Sequence, residues 1–257
     1  MDRASPAALA DAAVQTGCQS VAFTYNDPVI FAEYAIDVSA ACRERGVHPV
    51  AVTAGYITDL ARAEFFAAMD AVNVDLKAFD QRFYRRLCSA DIEPVKETLR
   101  HLVHDTNVWV EITTLIIPEE NDSEHEIRSL SAWIRETLRP DVPLHFSAYH
   151  PDYKLKRPAT PMGTLTRARA IALEEGLQFV YTGNVHDSKG GSTWCPQCGS
   201  LLIERDWYEI GRWGLTSDPV GHCHECNAHI PGQFESVPGR WGRSRQRIQI
   251  PSGEPNT

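Results

Sequence analysis

The sequence lacks three features, and each absence argues against a class of protein. It has no uninterrupted apolar run that approaches a membrane span. It has no excess of positive charge, since 25 Lys and Arg residues face 34 Asp and Glu residues, and a net charge of −9 disfavours a general nucleic-acid-binding protein. Its first 17 residues lack the pattern of a secretion signal and are instead typical of an amphipathic helix. We therefore expect a cytoplasmic protein without membrane or nucleic-acid partners.

A disulfide framework is also missing. Four of the seven cysteines lie in two CxxC pairs, and the other three, Cys18, Cys42 and Cys88, are isolated. This usage indicates a reducing compartment and metal binding rather than disulfide bonds. We expect Cys18 to precede the first strand, and we expect Cys42 and Cys88 to be buried helix residues.

Six short runs of strand-forming residues alternate with helical patterns: Gln19–Thr24, His48–Thr53, Ala71–Leu76, Val108–Ile117, Pro143–Tyr149 and Gln178–Thr182. No hairpin signal lies among them, so the pattern predicts parallel βαβ units and an α/β fold. The first helix has no strand before it, whereas every helix of a β/α barrel follows a strand. We therefore expect residues 1–185 to form a partial (β/α) barrel that lacks its first strand. The exposed sheet edge would favour dimerisation or poor solubility.

Polar residues follow most of these strands at the point where each strand ends. Within Val21–Asp37 a strand pattern stops at Thr24, and Asp27 is placed to cap a helix that begins at Pro28. Right-handed crossovers put the carboxyl ends of the strands on one face, where barrel enzymes bind their ligands. The residues at these ends predict a ligand site, although each taken singly is also typical of a turn or a cap: Asn26, Asp27, Thr53, Gly55, Asp75, Lys77, His150, Gly183 and Asn184.

Two CxxC motifs near the carboxyl terminus form the strongest local pattern. They contribute Cys195 with Cys198 and Cys223 with Cys226, and 24 residues separate the pairs. Two such turns can bring four thiolates onto one ion in a closed tetrahedral site, which suits zinc, or iron in a rubredoxin-type site. The apolar and aromatic segment between the pairs predicts the hairpin of a zinc ribbon over residues 194–235. A closed site folds the module and leaves no position for a substrate.

The segments that flank this module are polar. Residues 186–193 are typical of a linker, and residues 236–257 are typical of a disordered basic tail, with docking to an acidic partner as the alternative. Four thiolates suffice for the metal, although three nearby histidines could compete as ligands: His222, His224 and His229.

Seven blocks of sequence, taken in order, carry a resemblance to a known family: TYNDPVIFAEYAID, VTAGYI, NVDLKAFDQRFYRRL, WVEITTLIIPEEND, PLHFSAYHPDYK, FVYTGNV and the CPQCG…CHEC pair. The chain resembles the radical S-adenosylmethionine (SAM) enzyme of the AmmeMemoRadiSam system, which is similar to pyruvate formate-lyase activating enzymes. The resemblance implies a barrel that holds SAM and a [4Fe–4S] cluster, the cluster being bound by a CxxxCxxC loop. It implies reductive cleavage of SAM to a 5′-deoxyadenosyl radical, which abstracts hydrogen from an unidentified small-molecule or protein substrate.

The same resemblance implies roles for the strand-end residues. The segment Tyr25-Asn26-Asp27 resembles the Gly-Gly-Glu motif that grips the amino group of SAM, with Asp27 in place of the usual glutamate. The segment Thr53-Ala54-Gly55-Tyr56 resembles a Thr-Asn-Gly-Tyr segment, from which Ala54 departs. Asp75 and Lys77 resemble residues that line the cofactor pocket. The family also implies cofactor contacts from His150, near the nucleoside, and from Asn184.

The motif that holds the cluster in this family is absent. CxxxCxxC occurs nowhere in the sequence, and no isolated cysteine substitutes for it. We therefore expect the chain alone not to cleave SAM reductively. The alternatives are an amino-terminally shortened enzyme and a cluster-free scaffold, built from barrel and zinc ribbon, that binds a partner protein. A third alternative makes Lys77 the Schiff-base lysine of an aldolase-like barrel, which Asp75 disfavours because a nearby carboxylate stabilises a protonated amine.

Overall fold

The structure, a computed structural model, describes residues 4–217, 220–237, 247–248 and 250. The chain forms two compact units. Within the described residues, the first comprises 4–75, 93–110, 247–248 and 250, and the second comprises 76–92, 111–217 and 220–237. Most of the predicted basic tail lies outside the described residues. The predicted domain boundaries at 185, 193 and 235 stay a prediction.

The helices are α1 Pro6–Gln15, α2 Ala32–Arg43, α3 Asp59–Ala67, α4 Gln81–Phe83, α5 Glu93–Asp105, α6 Glu124–Trp133, α7 Met162–Glu174 and α8 Ser188–Gly191. The strands are β1 Ser20–Phe23, β2 His48–Thr53, β3 Ala71–Asp75, β4 Trp109–Ile116, β5 Leu144–Ala148, β6 Val180–Gly183, β7 Thr193–Trp194, β8 Leu201–Asp206 and β9 Glu209–Trp213. A 3-10 turn covers Pro28–Phe31, and π-helical turns cover Tyr84–Cys88 and Ile134–Leu138. No helix in the described part of the chain combines the length and the hydrophobicity needed to span a membrane.

The six predicted strands are confirmed, each within two residues at either end. They form one sheet with the strand order β1-β2-β3-β4-β5-β6. The pairings of β1 with β2 and of β2 with β3 are parallel, as are those of β4 with β5 and of β5 with β6. Strands β7, β8 and β9 form a separate antiparallel sheet. The α/β fold class is therefore confirmed.

Local sequence signals explain how the first unit begins. The hydroxyl of Ser5 accepts a hydrogen bond from the backbone N–H of Ala8 at 3.2 Å and so caps α1. Pro6 occupies the first helical position, where its missing N–H costs nothing. Gly17 follows the helix with φ of +69°, a conformation that glycine adopts without strain. The core of this unit contains side chains from β3, α3 and α5: Val74, Phe65, Phe66, Leu99 and Leu102.

In the second unit, the residues of β4, β5 and β6 alternate between the two faces of the sheet. Side chains at even positions, such as Ile112, Leu144 and Phe146, are fully buried. Five of the odd positions carry polar side chains that are only partly buried, namely Glu111, Thr113, His145, Ser147 and Tyr181, and the other odd positions carry Trp109, Leu115 and Gly183. A parallel strand covered on both faces is apolar throughout. We call the side of the sheet formed by these odd-numbered residues the odd face. In this unit the odd face is therefore not a packed hydrophobic core.

The pattern Ser123-Glu124-His125-Glu126 predicts a capping box, and the structure forms half of one. The backbone N–H of Glu126 donates to the Ser123 hydroxyl at 3.2 Å. The Glu126 carboxylate does not return to Ser123 but accepts from the backbone N–H of Phe79 at 2.8 Å. Burial raises the pKa of Glu126, and this hydrogen bond partly opposes the shift. Glu126 therefore fixes the loop that follows β3 instead of completing the capping box.

The expectations for the isolated cysteines are met at two positions. Cys18 precedes β1, and Cys42 is fully buried in α2. The prediction for Cys88 is wrong, because this residue is exposed at the end of the π-helical turn Tyr84–Cys88. The turn buries its first residue, Tyr84, and the chain then leaves through Ser89 in the left-handed conformation, with φ of 53°. The turn therefore packs into the core at Tyr84, where it begins, and has reached the surface at Cys88, where it ends.

Candidate functional site

Asp27 joins the carboxyl ends of β1 and β2. One carboxylate oxygen, Oδ1, accepts hydrogen bonds from the backbone N–H of Val29 at 3.1 Å and from the hydroxyl of Thr53 at 2.8 Å. The other, Oδ2, accepts from the backbone N–H of Ala54 at 2.8 Å. The predicted cap is thus formed, and three of the carboxylate's approximately four acceptor positions are occupied by this chain. Asp27 can offer a ligand about one further hydrogen bond.

The two residues before Asp27 project into solvent. Tyr25 is 95% exposed and adopts a left-handed backbone conformation, with φ of 70°. Asn26 is exposed as well. The strand end therefore presents Asn26 at its surface, while Asp27 anchors the turn to the neighbouring strand.

Gly55 is required by the backbone that follows β2. Its φ is +67°, and a Cβ atom at this position would lie 2.9 Å from Cγ1 of Val74. Its N–H donates to the Thr53 hydroxyl at 3.0 Å, and its carbonyl accepts from the hydroxyl of Thr98 at 2.8 Å. The first unit therefore brings Asp27, Thr53 and Gly55 into one hydrogen-bonded group.

Asp75 and Lys77 lie at and just beyond the end of β3. The half-buried carboxylate of Asp75 accepts from the side-chain amide of Asn73 at 3.2 Å. The backbone N–H of Lys77 donates to the hydroxyl of Tyr84 at 3.0 Å, and its carbonyl accepts from the side chain of Asn121 at 2.9 Å. The contact with Asn73 orients the Asp75 carboxylate, and the contacts with Tyr84 and Asn121 fix the backbone that carries the Lys77 side chain.

The two remaining predicted residues follow β5 and β6. His150 is exposed and makes no hydrogen bond with the residues that the structure describes. Asn184 has φ of 60°, and its side-chain amide donates to the carbonyl of Ala148 at 3.3 Å. Asn184 therefore connects the carboxyl ends of β5 and β6, whereas His150 stands apart. The convergence of all nine predicted cofactor residues on one pocket stays a prediction.

A polar group that the sequence analysis missed lies on the odd face of β4 to β6. His145 Nε2 and Glu111 Oε2 are 2.7 Å apart. The rings of His145 and Tyr181 stack with their centroids 4.9 Å apart and their planes 20° from parallel. The strand register places His145 beside Thr113 on one neighbour and Tyr181 on the other. The alternation of polar and apolar residues in WVEIT and LHFSA was the signal that could have revealed it.

The four cysteines of the CxxC motifs form one cluster, as predicted. Their sulfur atoms all lie within 4.8 Å of one another. Sγ of Cys195 is 3.7 Å from that of Cys226, and Sγ of Cys198 is 3.7 Å from that of Cys223. A tetrahedral ion with metal–sulfur bonds of about 2.3 Å would hold its sulfurs about 3.8 Å apart. The donor set and its spacing therefore fit a four-coordinate zinc or iron ion.

The two CxxC turns have the same backbone hydrogen bonds. In the first, Gly199 follows the second cysteine with φ of 74°, and its N–H donates to the carbonyl of Cys195 at 2.9 Å. In the second, Asn227 takes the equivalent place with φ of 58°, and its N–H donates to the carbonyl of Cys223 at 2.9 Å. Glycine and asparagine are the residues that adopt this conformation most readily. The local sequence therefore builds the site as two matching turns.

Two cysteines of the cluster have pKa values shifted in opposite directions. The side-chain hydrogen bond with Ser200 is the main cause that lowers the pKa of Cys198 to about 6. The backbone hydrogen bond from Ala228 lowers the pKa of Cys226, but burial and the hydrogen bonds with the three neighbouring cysteines together raise this pKa to about 12. The Cys198 thiolate thus forms easily, whereas Cys226 resists ionisation. A bound dication removes this opposition by compensating the negative charge.

The cysteine cluster belongs to a small hydrophobic core. Cys195 and Cys223 are buried together with Leu202 and Ile230, and Phe179 packs against the same group. The hairpin between the CxxC motifs is confirmed as β8 and β9. Among the described residues the cluster contains cysteines only, so His222, His224 and His229 are not part of it. The predicted linker contains helix α8, which Asp187 caps through the N–H of Gly190 at 2.9 Å.

Comparison with known proteins supports the interpretation of the sheet. The family model of the radical SAM superfamily matches residues 1–130. An uncharacterized protein of Methanocaldococcus jannaschii, MJ0808, is 41% identical over 204 residues, which cover 78% of this chain and 60% of that protein. The pyruvate formate-lyase-activating enzyme of Clostridium pasteurianum is 27% identical over 146 residues, which cover 53% of this chain and 60% of the enzyme. The chain thus spans about 60% of the length of these curated relatives.

A solved structure shows the same fold. A domain of the pyruvate-formate lyase-activating enzyme from Bacteroides vulgatus superposes with a TM-score of 0.56 at 19% sequence identity. The superposition covers 64% of this chain and 98% of that domain. Because the family model matches half of the sequence, and the parallel sheet agrees with it, this chain belongs to the radical SAM superfamily.

Proposed function

We propose that this chain is the SAM-binding part of a radical SAM enzyme of the AmmeMemoRadiSam type, similar to pyruvate formate-lyase activating enzymes. The observation that carries the proposal is the family match over residues 1–130, which includes the strand ends bearing Asp27, Thr53 and Asp75. In this function the strand-end residues would hold SAM, and SAM together with a [4Fe–4S] cluster would supply the radical chemistry that abstracts hydrogen from the substrate. The substrate is a small molecule or a protein.

The residues proposed to hold SAM have the chemistry that its polar groups require. Asn26 offers an exposed amide, and Asp75 offers a half-buried carboxylate that can accept from an ammonium or ribose hydroxyl. Lys77 offers a cation for the methionyl carboxylate. Asp27 has about one acceptor position left, so in this proposal it mainly orients the β1–β2 ends and makes at most one contact with the amino group.

The cluster does not fit the cysteines of this sequence. Cys42 is buried inside α2, Cys88 is exposed in the other unit, and Cys18 precedes β1. None of the three lies in a CxxxCxxC motif, and the four CxxC cysteines already complete a separate site. These residues therefore provide no ligand set for a [4Fe–4S] cluster. The four-cysteine site is proposed to stabilise the fold, since four protein ligands leave no open position for chemistry.

Binding of SAM tests the proposal without any cluster. Equilibrium dialysis of the purified chain against radiolabelled SAM should give saturable binding. Asp75→Asn should weaken it about tenfold, because a hydrogen bond to a charged group contributes about 1.5 kcal/mol. Asp37→Asn is the matched control, since Asp37 is exposed on α2 and away from the strand ends.

Two results would contradict the proposal. A folded chain that binds no SAM at millimolar concentration would favour the scaffold alternative, in which the barrel serves only to bind a partner. Equal affinities of the wild type, Asp75→Asn and Asp37→Asn would place SAM elsewhere on the chain.

A further inference from the structure

Glu111 and His145 form a hydrogen-bonded pair on the odd face of β4 to β6, where a packed core is absent. Their side chains retain 37% and 30% of their exposure, and Nε2 lies 2.7 Å from the carboxylate. Paired carboxylate and imidazole groups on rigid strands are well placed for proton transfer, because strands hold geometry better than loops. Neither residue belongs to the SAM or metal sites proposed above.

The contact with Glu111 decides which imidazole nitrogen is free. An ionised carboxylate can only accept hydrogen bonds, so the nitrogen facing it, Nε2, carries the proton. In the neutral ring Nδ1 then has the unshared electron pair. Among the residues that the structure describes, none hydrogen-bonds to Nδ1 of His145. When His145 is neutral, the pair therefore presents a proton acceptor at Nδ1.

Tyr181 fixes the plane of the imidazole without competing for its proton. Its ring stacks on that of His145 at 4.9 Å, and its hydroxyl is 3.1 Å from that of Thr193. Burial is the largest cause that raises the pKa of Tyr181, so the phenol stays neutral. On α7, the guanidinium of Arg169 donates through Nε to the carbonyl of Val180 at 2.8 Å. The ring of His145 is thus held by one stacked neighbour and one carboxylate.

We propose that Glu111 and His145 form a proton-accepting site on this face, in which Nδ1 of His145 takes a proton from a hydroxyl or ammonium group of a bound ligand. The O–H or N–H bond of the ligand breaks and its electron pair stays on the ligand. A new N–H bond forms at Nδ1, and the resulting imidazolium is stabilised by the carboxylate of Glu111. No net electron transfer takes place. His145 is the catalytic residue of this step, and Glu111 is a positioning residue.

The proposal does not depend on SAM binding or on radical chemistry. It rests on contacts within the second unit alone. It can therefore stand if the proposed function fails, and it can fail while that function stands. Its test accordingly uses the chain without SAM.

Acylation by diethyl pyrocarbonate probes the free nitrogen directly, since the reagent attacks an unprotonated imidazole nitrogen. In the folded wild type we expect His145 to be acylated at Nδ1, with exposed His125 as the internal reference. Mass spectrometry of peptides gives the rate, and NMR of the labelled ring gives the nitrogen. Glu111→Gln should reduce acylation at Nδ1 roughly tenfold, because an amide can donate to Nε2 and move the ring proton to Nδ1, as in triads that lose their carboxylate.

Two variants make the result specific. Glu111→Asp keeps a carboxylate and should restore part of the Nδ1 rate, which a merely structural role would not predict. Glu119→Gln removes an exposed carboxylate that pairs with Arg157 and should leave the rate at His145 unchanged. If Glu111→Gln does not fold, the site of acylation in the wild type decides, since only Nδ1 is compatible with the proposal.

Three outcomes would overturn the proposal. The first is an unmodified His145 in a folded chain whose His125 reacts. The second is acylation at Nε2, which would mean that Glu111 does not hold that nitrogen in solution. The third is an unchanged Nδ1 rate in folded Glu111→Gln.

Discussion

Replacement of Asp27 by asparagine separates a structural role from a ligand-binding role at the strand ends. Asparagine is also a good helix cap, so the hydrogen bonds at Oδ1, from Val29 and Thr53, can be retained. The amide nitrogen would however replace Oδ2 and face the backbone N–H of Ala54, which now donates at 2.8 Å. The variant therefore exchanges one hydrogen bond for a contact between two donors.

The expected loss follows from that one contact. A hydrogen bond to a charged acceptor contributes about 1.5–3 kcal/mol, and the lower half of this range applies because Asp27 is only partly buried. We expect the free energy of unfolding to fall by about 2 kcal/mol. For a chain of this length each kcal/mol shifts the melting temperature by about 2–4 °C, so the shift should be about 4–8 °C.

Urea denaturation monitored by circular dichroism, without SAM, measures this loss. Asp37→Asn on α2 is the control, and an exposed substitution of this kind should stay within about 0.5 kcal/mol of the wild type. The reasoning would be refuted if Asp27→Asn matched the control. In that case the carboxylate would be free in solution, and its whole hydrogen-bonding capacity would be available to a ligand.

Three further predictions concern the loops and the metal. Hydrogen bonds from Arg86 and Arg157 lower the pKa of Glu120, whose side chain is 2% exposed. The ionised Glu120 carboxylate therefore contributes its full stabilisation above the pKa of an unfolded glutamate. This stabilisation is lost as the pH falls through the lower pKa of the folded state. Glu120→Gln should therefore cost about 2 kcal/mol at pH 7 and flatten the acid limb of the stability curve below about pH 4, measured by urea titrations at several pH values. Gly55→Ala should lower the free energy of unfolding by about 2 kcal/mol, because alanine is strained at φ of +67°, whereas Gly163→Ala in α7, with open space around it, should not destabilise the chain. Cys195→Ser should abolish the tightly bound zinc or iron that elemental analysis detects in the wild type, and Cys88→Ser, at an exposed cysteine outside the cluster, should not.

The strands and the four-cysteine site were predictable because their signals are local. β2 was predicted with its observed bounds, His48–Thr53, since its apolar run is bordered by turn residues on both sides. The metal site depends on two turns whose spacing is written directly in the sequence. The single helix expected from Pro28 is less regular, because it starts with a 3-10 turn before α2. A cap residue fixes where a helix starts but not how tightly its first turn winds.

The contacts of individual side chains were not predictable in the same way. Asp27 was expected to cap a helix, and it does, but its bonds to Thr53 and Ala54 join positions 26 and 27 residues apart. The Glu126 carboxylate likewise bonds to Phe79 rather than to its own helix start. Such partners are selected by the tertiary fold, which the local pattern does not encode.

Glu111 and His145 show how the two kinds of information combine. Each occupies an odd position of a strand, so alternation alone places both on one face, and the parallel register sets His145 beside Thr113. The distance of 2.7 Å between Glu111 and His145 is a diagonal contact that depends on side-chain conformation. A polar face on an otherwise buried parallel sheet would have indicated a site from sequence alone, because such strands are apolar on both faces when helices cover them. What the sequence could not indicate is the orientation of the imidazole, and it is that orientation which leaves Nδ1 free to accept a proton.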